Sequence, residues 1–149
     1  MASYYLETSA LVKLYVNEPG TDKMIRLAQT CGPRKMTVLA LSRVEFRAAI
    51  RRRERLGDIE VGLGDALRAR FDSHWELQFL IQPVTEMVLA DAALLIDRHP
   101  LRAYDAVQLA GCLVFRTRTG PEPVVFVCAD HDLLGAAANE GVTVLDPTG

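Results

Sequence analysis

Lysine is scarce in this chain: Lys13, Lys23 and Lys35 are the only ones, and the net charge is -2 at pH 7. That balance excludes a wholly basic nucleic-acid coat, so any anionic partner must meet a local basic patch. Cysteine is equally sparse. Cys31, Cys112 and Cys128 are odd in number and lack C-x-x-C spacing, which disfavours both a disulfide framework and a zinc site. Cys112 and Cys128 lie in apolar segments and read as core thiols. Nowhere do about 18 apolar residues run together, and the opening MASYYLE has no basic stretch ahead of an apolar core. The expectation is a cytoplasmic protein with no membrane segment and no signal peptide. Internal repeats, low-complexity tracts and linkers are missing too. A chain of 149 residues then fits one domain, 1–149, able to bury roughly 70% of its unfolded surface.

What is present is an alternation of short apolar runs with longer stretches of helical period, the pattern of βαβ units around a parallel sheet. Strands are expected at 4–6, 36–39, 79–84, 124–128 and 143–145. Helices are expected at 9–16, 22–31, 41–56, 59–75, 86–97, 102–118 and 131–140. Gly57 and Gly141 stand where two of these helices should stop. Residues 119–123, with one Gly and two Pro, read as a loop.

Four acids occupy places where a soluble domain normally puts an apolar or capping residue: Glu7, Glu45, Asp105 and Asp130. Glu7 and Asp130 follow predicted strands, and in an open parallel sheet the active crevice lies beyond the carboxyl ends of the strands. Each also fits a helix-starting acid, although Thr8 and Ser9 are better caps than Glu7. Glu45 shares a helix side with Leu41, Val44, Ala48 and Ala49, and an unpaired inward carboxylate there is costly. A salt bridge to one of the arginines of its own helix is the structural alternative. Asp105 shares a face with Leu109 and Cys112 and also suits the positive end of a helix. Acids from four separate segments, gathered by folding, would repel one another without a cation, so together they read as a metal site.

The opening YYLETSALVKLYVNEPG, the segment SRVEFRAAIRR, the decapeptide LRAYDAVQLA and the turn VFVCADHDLL resemble, in order and spacing, the PIN-domain ribonucleases, particularly VapC-type toxins. The resemblance spans nearly the whole chain. It implies a PIN-like doubly wound α/β sandwich, with a central, mostly parallel sheet flanked by helices. It also implies magnesium or manganese, endonucleolytic cleavage of RNA, a cognate antitoxin of VapB type, and a homodimer. The acidic quartet of that family falls on Glu7, Glu45, Asp105 and Asp130, with Ser9 at the hydroxyl position that supports the first acid and Asp132 available at the rim. We assign Glu7 and Asp105 to a first ion, and Glu45 and Asp130 to that ion through water or to a second one. One departure stands out. The first acid of the family is normally Asp, and here it is Glu.

Arg43, Arg47 and Arg51 recur along one stripe of the Glu45 helix and Arg102 stands just before Asp105, so RNA phosphates have cationic partners available. A solvated helix face explains Arg53 and Arg55 equally well. His74, His99 and His131 are too scattered to supply a general base, and Trp75 and Phe79 read as core or interface. Three readings compete with a metal-dependent endoribonuclease. A PIN-like module impaired by Glu7 would keep only antitoxin binding. A phosphoacceptor receiver domain would need a lysine after a late strand, and none of the three lysines lies there. A haloacid-dehalogenase-like phosphatase would need D-x-D-x-T where this chain has LETSAL.

Overall fold

A computed structural model describes residues 2–149. The strands are β1 (Ser3–Leu6), β2 (Met36–Leu39), β3 (Leu80–Gln82), β4 (Val124–Val127) and β5 (Thr143–Leu145). The helices are α1 (Thr8–Val12), α2 (Thr21–Thr30), α3 (Ser42–Arg55), α4 (Val61–Gln78), α5 (Glu86–Arg98), α6 (Ala103–Arg118) and α7 (His131–Asn139). Every strand pairing is parallel, and the sheet runs β3-β2-β1-β4-β5. The order therefore reverses at β1, where the chain first builds outward through β2 and β3 and later returns to add β4 on the other side.

Successive side chains of a strand point to opposite faces, and in β1 both faces are apolar. Tyr5 enters one core with Val88 and Leu95 of α5, Leu109 and Cys112 of α6, and Leu133 of α7. Leu6 enters the other with Leu11 of α1, Met24 of α2, Ile50 of α3, and Phe71 and Trp75 of α4. The sheet is thus sandwiched, which is why β2 reads as a continuous buried run rather than an alternating one. In the second core Phe46 stacks on Phe71 with centroids 3.9 Å apart, fastening α3 to α4.

Gly57 (φ 80°) and Gly141 (φ 81°) leave α3 and α7 in the left-handed conformation expected of C-terminal stops. Gly111 acts through space. A Cβ there would collide with the Tyr5 hydroxyl and Leu39 Cδ1, so its missing side chain lets α6 lie close on β1 and β2.

Three expectations are corrected. The strand placed at 79–84 shrinks to Leu80–Gln82, since Pro83 has no N–H to extend the ladder. The first helix covers Thr8–Val12 rather than 9–16, ending where the chain turns toward Asn17 and Pro19. The buried stripe of α3 is Ser42, Phe46 and Ile50, while Val44 is 66% exposed. Phe46 and Ile50 are the larger apolar groups, and they turn the helix so that Glu45 sits at the edge of the buried stripe instead of its middle.

Candidate active site

Glu7 follows β1 directly, and its backbone N–H still bonds Val127 O of β4 at 3.0 Å, so it lies at the switch point between those strands. It is itself the N-cap of α1: its Oε2 accepts from Ser9 N at 2.9 Å and from Ser9 Oγ. Ser9 Oγ accepts in turn from Ala129 N at 2.9 Å, tying the end of β1 to the end of β4. The hydroxyl expected beside the first acid therefore contacts its carboxylate. Glu7 is 6% exposed, and burial pushes its carboxyl above the ordinary carboxylate range. The Ser9 hydrogen bonds oppose that shift, and the nearby Glu45 charge adds to it.

Thr8, expected only as a cap, points elsewhere. Its Oγ1 donates to Glu45 Oε1 at 2.8 Å. Gln108 of α6 donates from Nε2 to the same Oε1 at 2.6 Å. Glu45 and Asp105 then line one cleft with Arg102, Ala103 and Tyr104, a space of about 320 Å³. Asp105 pairs with Arg102 at 3.3 Å, and its side chain is 19% exposed. Asp130 follows β4 and caps α7, accepting from Asp132 N at 3.0 Å and Leu133 N at 3.4 Å. Its backbone N–H reaches Cys128 Sγ at 3.3 Å.

The fold therefore brings Glu7 toward Glu45, and Glu45 toward Asp105, with Asp130 on the adjoining strand end. Among the described residues no three His, Cys, Asp or Glu side chains are gathered as a ready metal cage. The donor chemistry nonetheless fits a hard divalent ion. All four groups are carboxylates, and among the described residues Glu7, Glu45 and Asp130 have no ion pair with any Lys, Arg or His.

The arginines divide. Arg43 is exposed, Arg47 pairs with Asp72 of α4 at 2.5 Å, and Arg51 pairs with Glu54 at 3.3 Å. Arg53, expected at a solvated face, instead bonds Glu18 at 2.8 Å. Cys112 and Cys128 are fully buried as expected, and burial pushes the Cys112 thiol up to about 12. Sequence reasoning missed Gln108 and Ser42, although a glutamine between Ala106 and Leu109 on an inward helix face was a visible signal.

Residues 4–118 match the PIN domain. The chain belongs to the PIN-domain family. Ribonuclease VapC47 of Mycobacterium tuberculosis (strain CDC 1551 / Oshkosh) is 32% identical over 146 residues, 96% of each chain. Among solved structures, FitAcB from Neisseria gonorrhoeae superposes with a TM-score of 0.69 at 15% identity, covering 97% of both chains. A toxin-antitoxin complex from Klebsiella pneumoniae does so with 0.68 at 14% identity, covering 97% of this chain and 98% of that one. The doubly wound parallel sandwich expected from the sequence is the fold observed. No described helix is long and apolar enough to cross a membrane.

Proposed function

We propose that this chain is a divalent-metal-dependent endoribonuclease, the toxin of a toxin–antitoxin pair acting in the cytoplasm. The observation that carries the reading is the buried Glu7 carboxylate at the β1/β4 switch point, beside Glu45 and without a cationic partner among the described residues. Family membership supports it, as do the relative named a ribonuclease and the neighbour described as a toxin-antitoxin complex. Magnesium or manganese, when bound, acidifies a water and relieves the charge on the scissile phosphate. Glu7 and Asp105 are the residues to hold a first ion, with Glu45 and Asp130 serving it through water or holding a second. Ser9 fixes the Glu7 carboxylate by donating to its Oε2 from both the backbone N–H and the hydroxyl. Arg43, which is exposed, is available for phosphate contacts, whereas Arg47, Arg51 and Arg102 would have to exchange Asp72, Glu54 and Asp105 for them.

The partner is an antitoxin of VapB type whose Arg or Lys enters the acid cluster in place of the ion, and the working form is a homodimer. A second reading, a PIN module that binds antitoxin with little cleavage, is favoured by one fact. Glu7 Oε2 is already turned back onto its own helix. The experiment that separates the two is cleavage of structured RNA in Mg²⁺ with and without excess EDTA. Cleavage that EDTA abolishes supports the nuclease, and no cleavage in either Mg²⁺ or Mn²⁺ leaves the binding module.

A further inference from the structure

The four-acid reading leaves one feature of the site unused, a fully buried amide inserted among its polar groups. Gln108 is 0% exposed and lies one turn along α6 from Asp105. Its Nε2 reaches Glu45 Oε1 at 2.6 Å, Ser42 Oγ at 3.0 Å and Thr8 Oγ1 at 3.1 Å. Thr8 Oγ1 spends its proton on Glu45, so toward Ser42, 3.1 Å away, it can only accept. One Gln108 amide proton goes directly to Glu45 Oε1 and the other to the Ser42 or Thr8 hydroxyl, while the Thr8 proton also ends on Glu45 Oε1. That oxygen receives two donors, while among the described residues no hydrogen bond reaches Oε2.

The orientation of the amide has a physical cause. Turned over, Gln108 would set its carbonyl oxygen against a carboxylate oxygen at the shortest contact it makes. In the orientation observed, Gln108 Oε1 is instead buried without a partner. An amide that leaves its own acceptor unsatisfied in order to donate to a carboxylate is held there by the charge of that carboxylate.

We infer that Gln108 is a positioning residue: it clamps Glu45 through Oε1, with Thr8 and Ser42, and so leaves Glu45 Oε2 free toward the cleft shared with Asp105. The inference rests on the metal reading of that cleft. Second-layer donors of this kind fix the orientation of ligating carboxylates, and their loss weakens metal binding by about 10–100-fold. One helix then supplies both a ligand acid and, a turn deeper, the amide that aims a second acid from α3.

Two measurements test it. The first is the side-chain amide resonance of Gln108 in the metal-free protein and in Glu45→Gln. The inference requires that resonance to move while those of Gln29, Gln78 and Gln82 stay in place, and an unmoved Gln108 signal overturns the contact. The second is calorimetric Mn²⁺ binding to Gln108→Met, which keeps the length of the side chain but cannot donate. Binding should weaken at least about tenfold in the natural background and lose nothing further in Glu45→Gln. An equal loss in both backgrounds would mark a merely structural role and overturn the inference. So would undiminished binding by Gln108→Met when the unsubstituted protein binds well. If the unsubstituted protein binds no Mn²⁺, the metal reading itself falls and takes the inference with it. Should Gln108→Met not fold, the resonance measurement still decides, because Glu45 sits at the edge of the core.

Discussion

At the scale of single residues, Glu7 carries the most consequence. Its carboxylate lies one methylene farther out than an aspartate would, and the structure takes up that length by curling Oε2 back to Ser9. Misplacement by about 1 Å can cost on the order of a hundredfold in rate, and magnesium tolerates little distortion. Glu7→Asp should therefore cleave severalfold faster or more in Mg²⁺, with a smaller gap in Mn²⁺. Single-turnover rates for the two proteins in each metal check this, and equal or slower cleavage by Glu7→Asp in Mg²⁺ would make Glu7 a competent ligand as it stands. Burial gives Glu7 a second signature. Its folded carboxyl holds a proton more tightly than the ordinary value of 4.5. Between that value and its raised folded one, the folded state binds the extra proton, so stability falls as pH rises through the window and the full penalty stands above it. In EDTA, Glu7→Gln should raise the melting temperature at about pH 8, and the gain should fade as pH drops toward 4.5. A gain independent of pH would mean that the carboxylate is not strained by burial.

The secondary structure elements were the most legible level of this sequence, because apolar period and Gly stops are local signals. Strands β2 and β5 fall on the expected residues, and all seven helices appear where helical period was read. What failed was phase. In α3 the face read as inward ran through Leu41, Val44, Ala48 and Ala49, whereas the stacking on Phe71 turns Phe46 and Ile50 inward. The acids at strand ends were legible from chain position alone. The Thr8–Glu45–Gln108 contacts were not, since they join three elements far apart in sequence. Close approach between elements is equally invisible locally, and two glycines make it measurable. Gly111→Ala should cost about 1–3 kcal/mol, because the new methyl group would meet Tyr5 and Leu39. Gly135→Ala in α7 meets nothing within 4 Å and should gain about 0.5–1 kcal/mol from helix propensity. Urea unfolding of both checks the pair, and a neutral Gly111→Ala would mean that α6 rides higher on the sheet than described.

For the molecule as a whole, the topology determines what the acids can do. The strand order reverses at β1, Glu7 and Asp130 follow the strands on either side of that point, and the two flanking layers bring Glu45 from one side and Asp105 from the other. Cations should therefore stabilise the fold by mass action, and the melting temperature should rise with Mg²⁺ in proportion to the logarithm of its concentration above Kd. A flat response up to high concentration would speak against a cation site in the folded protein. The central claim is that those acids drive RNA cleavage. The direct measurement is single-turnover cleavage of a structured RNA in Mg²⁺ by this protein and by Asp105→Asn, whose side chain keeps its shape but loses its charge. The first should cleave, EDTA should abolish that cleavage, and the second should lose at least about a hundredfold. Equal cleavage by the two proteins, or cleavage that persists in EDTA, would contradict the claim.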